Sequence, residues 1–392
     1  MKVIEYGLDS CNHCLKCVKV CPTEAIKIVG NKVVIDDKKC IYCDKCIHTC
    51  HKGGLKVDNS HMSLTFKDYD YKVALIPVSV FSDFKNEKEA GQMFKAIKKL
   101  GFDEIVDYSD VEGALYLKTI EYTQNEDGLK FTSFCPCINH LIKQQYPMLY
   151  NDIVPYDYPV EVAAKRVRER LKDKGKVGIY SLCDCVGKKT LAKHPFNNEK
   201  SNIDHAMSLS HIFPKALRLK NDDRQEFHLC REAIQSVVSD FYHYGQLEKP
   251  VISVSGVDHC IQALELAEFG HLDDIGLIAL FACQGGCIGG RYLWSNPFLG
   301  RLHIDTMSAY ANTEVADLKD EICIRDRKLD YHEKMTMKEK MKLYNEINKI
   351  IDKLPGYDCG ACGYPNCKAL ALDIYYEKAS LNDCRVKKEG NL

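Results

Sequence analysis

The sequence predicts an α/β protein with parallel sheets, bracketed by two small cysteine-built segments. Three observations predict it. From about residue 70, apolar strand-like runs alternate with stretches of helical spacing, the pattern of strands joined by crossover helices. The first fifty residues hold eight cysteines in two copies of one spacing. Four more close the chain as C-x2-C-x4-C-x16-C.

Composition narrows the class. A chain of 392 residues is long enough for two or three domains and at least one substantial core. With 54 basic against 55 acidic residues, nothing favours nucleic acid or an anionic membrane surface as a partner. The opening MKVIEYGLDS lacks the apolar core of a signal peptide, and no stretch approaches the length of a membrane span. The 21 cysteines therefore read as metal ligands in a reducing interior rather than as disulfides. The expected location is the cytoplasm.

Residues 1–60 form the first domain. Cys11, Cys14 and Cys17 are followed by Cys21, and Cys40, Cys43 and Cys46 by Cys50, each run spaced C-x2-C-x2-C-x3-C. The repeat has a period of 29 residues. This is the ligand spacing of a bacterial two-cluster ferredoxin, in which the fourth cysteine of each run serves the other cluster. Cys11, Cys14, Cys17 and Cys50 are assigned to one 4Fe–4S cluster, and Cys40, Cys43, Cys46 and Cys21 to the other. A pair of zinc knuckles is the alternative. The runs Ala25–Val29 and Lys32–Ile35 around Gly30-Asn31 predict a small hairpin, giving an α+β unit.

Residues 68–328 carry the α/β texture. Val73–Ile76 and Val78–Val80 read as a strand broken by Pro77, and Glu89–Leu100 as a helix stopped by Gly101. Further strands are expected at Ile105-Val106, 177–180, 251–254 and 278–281, with helices at 160–171 and 260–269. Residues 329–354 read as an amphipathic connecting helix (Met337, Met341, Tyr344, Ile347, Ile351) packed along the middle domain. Residues 355–392 hold Cys359, Cys362, Cys367 and Cys384, with Gly360 and Gly363 allowing backbone amides to approach cluster sulfurs. That segment resembles the single-cluster Fe–S domain of Rnf B subunits and corrinoid iron–sulfur proteins. Zinc is again the alternative.

Three cysteine-bearing loops follow predicted strands in the middle domain: Thr132–Cys137, Ser181–Lys189 and Ala282–Gly290. In parallel α/β folds such loops converge on one crevice. In order and in content they resemble the three signature motifs of the FeFe-hydrogenase H-domain, and the layout of ferredoxin unit, H-domain and C-terminal Fe–S domain is similar to the sensory branch of that family. The resemblance implies a two-lobed H-domain with parallel sheets. It implies that Cys135, Cys185, Cys283 and Cys287 hold a central 4Fe–4S cubane, that Cys287 bridges to a two-iron subsite, and that Lys188 binds the cofactor as a cyanide hydrogen-bond donor. A solvated surface lysine is the alternative for Lys188.

The departures matter as much. Phe134 stands where catalytic members carry a proton-relaying cysteine, Cys183 and Phe281 where they carry methionines, and Arg291 where they carry a glycine. Cys137 and Cys183 are added thiols, read either as apolar filler or as groups that remodel the cofactor site. No catalytic residue is assigned. Four 4Fe–4S clusters would use sixteen of the 21 cysteines. The expected function is electron transfer with redox or hydrogen sensing, served by a ferredoxin-like electron-transfer protein and a signalling partner. A catalytic, ferredoxin-linked hydrogenase with an altered proton path is the alternative. An assembly factor of the eukaryotic hydrogenase-like type is disfavoured by the double cysteine run and the C-terminal motif. Cys230, Cys260 and Cys323 read as isolated thiols.

Overall fold

The computed structural model describes residues 4–7, 11–30, 32–57, 65–193, 195, 200–241, 248–320 and 337–386. Cys323, the turn residue Asn31 and residues 329–336 of the expected connecting helix lie outside them. Two compact units emerge. One comprises Met1–Cys40, Asp44–Asp58 and Lys328–Leu392; the other comprises Ile41–Cys43 and Asn59–Arg327.

In the first unit, β1 (Ile4–Tyr6) pairs antiparallel with β4 (Leu55–Val57), and β2 (Ile26–Val29) with β3 (Lys32–Ile35). The second pair is the expected hairpin, with Val29 opposite Lys32. Short helices Lys16–Val20 and Lys45–Thr49 each deliver one cysteine and stop at the next, Cys21 and Cys50. The sequence repeat is also a backbone repeat. His13 and Leu15 have φ of 53° and 62°, and their counterparts 29 residues on, Tyr42 and Asp44, have 57° and 59°. Left-handed backbone at non-glycine residues is costly and clusters at functional loops. Here it curls each loop between consecutive cysteines.

The C-terminal part of this unit departs from expectation. The helix Met337–Ile351 packs on the helix Cys367–Tyr375, around Ile347, Leu354, Tyr364, Leu370 and Ala371. Its buried stripe is Leu343, Ile347, Ile350 and Ile351, whereas Met341 and Tyr344 point to solvent. The small terminal segment has too little apolar surface for a core of its own, and the preceding helix supplies it. The two cysteine-rich ends, read from sequence as separate domains, thus lie in one unit.

The second unit contains two parallel sheets. One has the order β6-β5-β8-β9, from Glu104–Val106, Tyr71–Leu75, Val177–Cys183 and His205–Ser208. The other has the order β10-β11-β7, from Val251–Ser255, Leu277–Phe281 and Lys130–Phe131. Central strands β5, β8 and β11 are apolar along nearly their whole length and buried on both faces, as parallel strands are. Val78–Val80, expected as strand, belongs to a buried 3-10 helix, Val78–Asp83. Pro77 has no N–H for a ladder, so the chain leaves the sheet there while its apolar side chains stay in the core. The strands β7, β8 and β11 each run directly into one of the three cysteine loops.

Candidate metal centre

The carboxyl ends of both sheets contribute to one cavity. Cys135 follows β7 and caps the helix Pro136–Gln145, Cys185 follows β8 and caps Val186–Thr190, and Cys283 and Cys287 follow β11. One cavity is lined by Cys135, Cys185, Cys283 and Cys287, together with Cys137, Phe134 and Lys188. The close turn before Cys287 depends on Gly286, whose φ is +102° and where a Cβ would lie 2.4 Å from the Val237 carbonyl oxygen. Backbone amides are aimed at the sulfurs, as when Lys188 N–H donates to Cys185 Sγ at 3.4 Å.

A second cavity is lined by Glu112, Ser133, Tyr156 and Asp157, and also by Phe134, Lys188 and Cys287. Those last three residues therefore line both spaces. The Phe134 ring packs on Phe281 with centroids 4.7 Å apart, which makes that stretch of wall apolar.

Electrostatics set the character of the shared wall. Lys188 Nζ pairs with Asp184 Oδ2 at 2.8 Å, and Ser79 Oγ donates to the same oxygen. Burial works against the Lys188 charge, but Asp184, followed by Cys287, Tyr108 and Glu112, outweighs it and holds the ammonium well above its ordinary value. The surface-lysine alternative is not what the structure contains. Cys137 has one thiol proton and two acceptors, the Cys135 sulfur and the Tyr42 carbonyl at 3.4 Å. Donation from Cys137, offset by burial and helped by nearby backbone amides, draws Cys135 down to about 7, while Cys137 itself is held well up as a thiol.

No motif in the sequence marks Glu112, and only the fold brings it to the site. It is buried, its Oε2 has no hydrogen-bond partner, and burial pushes its carboxyl up to about 7 against the pull of Lys188. The folded chain therefore keeps a proton that the unfolded chain releases near the ordinary value of 4.5. Stability should fall as pH rises from about 4.5 to about 7 and level off above that. Glu112→Gln should flatten this fall by up to about 3 kcal/mol, at about 1.4 kcal/mol per pH unit. Urea midpoints measured between pH 5 and 8 check it.

Cys183 lies elsewhere. It does not line either cavity; it is buried against Ser181, with Sγ 3.4 Å from Ser181 Oγ. It is still within β8, whereas Cys185 lies past the strand end where the chain turns into a helix. In the other unit, one cavity is lined by Cys11, Cys14, Cys17 and Cys50, so the fourth cysteine of the second run lies with the first three of the other. Cys40 and Cys46 are buried, Cys21 and Cys43 are partly buried, and the Cys21 sulfur accepts from Ala25 N–H at 3.2 Å. Cys362, Cys367 and Cys384 pack against the core around Leu370, with Cys359 exposed. Cys230 and Cys260 are core thiols, and His13, His48 and His51 are exposed.

Comparison with known proteins follows the same three divisions. Residues 73–214 match the family model described as the C-terminal domain of the iron-only hydrogenase large subunit. The chain is a hydrogenase-like iron–sulfur protein. Residues 3–51 of this hydrogenase-like chain match a 4Fe–4S dicluster domain, and residues 354–386 a putative Fe–S cluster domain. The hydrogenase match ends before Cys283 and Cys287, which the fold nonetheless brings to the same cavity. Solved structures similar to it include the FeFe-hydrogenase HydA(deltaEFG) from work on stepwise H-cluster assembly, at 14% identity and a TM-score of 0.48 over 66% of this chain and 91% of that one. A single-residue variant of the FeFe-hydrogenase HydA1 from Chlamydomonas reinhardtii gives 15% identity and a TM-score of 0.48 over the same shares. No curated protein matches the sequence. Among the described residues, no helix is long and apolar enough to cross a membrane.

The donor set suits the cofactor class. Four thiols around one cavity, with backbone N–H groups directed at sulfur and a neighbouring thiol donating to a ligand, are what an anionic iron–sulfur cubane requires.

Proposed function

We propose that this hydrogenase-like protein transfers electrons and senses redox state or hydrogen, rather than turning hydrogen over efficiently. In this reading Cys135, Cys185, Cys283 and Cys287 hold a 4Fe–4S cubane, and twelve further cysteines hold three more. These are Cys11, Cys14, Cys17 and Cys50; Cys21, Cys40, Cys43 and Cys46; and Cys359, Cys362, Cys367 and Cys384. A two-iron unit bridged at Cys287 would occupy the second cavity and supply the hydrogen-binding chemistry. The chain's own residues would position it: Lys188 offers a cationic donor, and Cys287 stands between the two spaces. A ferredoxin-like carrier and a signalling protein are the partners this role needs.

The observation that carries the reading is Phe134. It lines both cavities beside Lys188 and Cys287, and a phenyl ring neither donates nor accepts a proton. A site built this way can register a bound ligand yet passes protons poorly. The competing catalytic reading is favoured by Glu112, a buried carboxyl with a free oxygen in the same cavity.

Infrared spectroscopy of anaerobically matured protein, paired with a hydrogen-evolution assay, distinguishes them. Carbonyl and cyanide bands with little turnover are expected. Bands with turnover on the scale of ordinary enzymes, about 1–1,000 s⁻¹, would establish the catalytic reading. Absence of bands with about sixteen irons per chain would leave a pure electron relay.

A further inference from the structure

The contacts between the two cysteine-rich ends carry a consequence for electron flow. The hairpin strand β2 has one edge paired with β3, which leaves the other edge open. The C-terminal cysteine loop fills it: Ile28 N–H donates to the Gly363 carbonyl at 2.9 Å. Gly363 has φ of +88°, and a Cβ there would lie 2.3 Å from the Ile28 carbonyl oxygen. Gly360, with φ of +77°, lies similarly close to Lys19, whose Cε would be 2.8 Å from an added Cβ. Both glycines of the Cys359–Cys367 loop are thus sites of close approach to the ferredoxin-like segment.

Side chains fasten the same contact. Lys19 Nζ donates to the Asp358 and Pro365 carbonyls, the second at 3.0 Å, and so grips the loop on either side of Cys359 and Cys362. Lys27 pairs with Asp373, which also accepts from Tyr364 Oη at 3.0 Å. Lys27 Nζ lies 5.4 Å from the Tyr364 ring centroid, and Asn366 donates to Glu24. Ile28 itself lines the cavity formed by Cys11, Cys14, Cys17 and Cys50. One residue therefore touches both the first ferredoxin-like site and the backbone next to Cys362.

We infer that the C-terminal site is docked as the electron port of the first ferredoxin-like site, with Ile28 as the contact between them. This rests on the iron–sulfur reading above and goes beyond it by placing the C-terminal cluster next to the Cys11, Cys14, Cys17 and Cys50 cluster, as its direct one-electron partner. The step is a single electron transfer: one cluster is oxidised, its neighbour is reduced, and no proton or bond changes. An external one-electron donor protein supplies the electron at the exposed Cys359 edge.

The test uses the full chain, loaded with iron and reduced with dithionite. Electron paramagnetic resonance should show, beyond the interaction within the ferredoxin-like pair, a further interaction of the Cys11, Cys14, Cys17 and Cys50 cubane with a third reduced cubane, and a Cys362→Ala/Cys384→Ala variant should lose that further interaction while keeping the first. The Lys19→Glu/Lys27→Glu variant should weaken the further interaction and raise hydrogen exchange at the Ile28 amide by about tenfold or more, as expected of an opened local contact. Adding Asp373→Lys to Lys27→Glu should restore protection lost in the single variant. About sixteen irons per chain, with the Cys362→Ala/Cys384→Ala variant losing only the signal of one magnetically isolated cubane, would overturn the relay alone. About twelve, with the Cys362→Ala/Cys384→Ala variant unchanged in iron, would overturn the cluster assignment and the relay with it.

Discussion

Phe134→Cys is expected to raise hydrogen turnover by about 100- to 10,000-fold in matured protein, the range contributed by a positioned acid–base group. Phe134 lines both central cavities next to Cys287 and Lys188, so a thiol at this position would face the same space. Glu112 lines the second cavity with an oxygen that has no hydrogen-bond partner. The substitution also removes the contact with Phe281, and large-to-small changes in packed surroundings cost about 2–5 kcal/mol. Turnover must therefore be normalised to cyanide and carbonyl band intensity, which counts intact sites. A gain below about twofold would show that proton delivery does not limit this site, against the range expected of a relay.

Asp184→Asn should be the most destabilising single change at the centre, by about 3–5 kcal/mol, since it strands a buried ammonium. The side chains of Lys188 and Asp184 are only 12% and 1% exposed, and Ser79 adds a hydrogen bond to the same carboxylate oxygen. A denaturant midpoint series checks the loss, and Asp184→Asn/Lys188→Met should recover part of it. A loss under about 1 kcal/mol would place the pair with exposed ion pairs instead. The same variant should bind cyanide or azide more tightly, because the freed cation is left without its internal counter-charge.

Much of the candidate site is legible in the chain because thiolate clusters demand local spacing. Cys11, Cys14 and Cys17 stand in steps of three, the spacing with which thiolates wrap one face of a cubane, and they line one cavity. The alternation of strands and helices is equally visible, and the strands near 73, 105, 177, 251 and 278 are all present. Val78–Val80 misleads because apolar residues report burial, and only Pro77 hints that the buried segment is not strand. The helix at 337–351 has a different neighbour from the one expected, because periodicity identifies a stripe but not what covers it.

Residue types and short-range spacing determined where the cysteine runs and their repeat lie and that parallel sheets carry the middle of the chain. Tertiary structure alone decided the rest. It turned Cys183 away from the cavity and Cys137 toward it, buried Glu112 beside Lys188, and joined the two ends of the chain through Ile28 and Gly363. The reason is that ligand spacing is a property of one loop. The occupant of an open strand edge, or the carboxyl that joins a buried ion pair, comes from a distant segment, which no local pattern encodes.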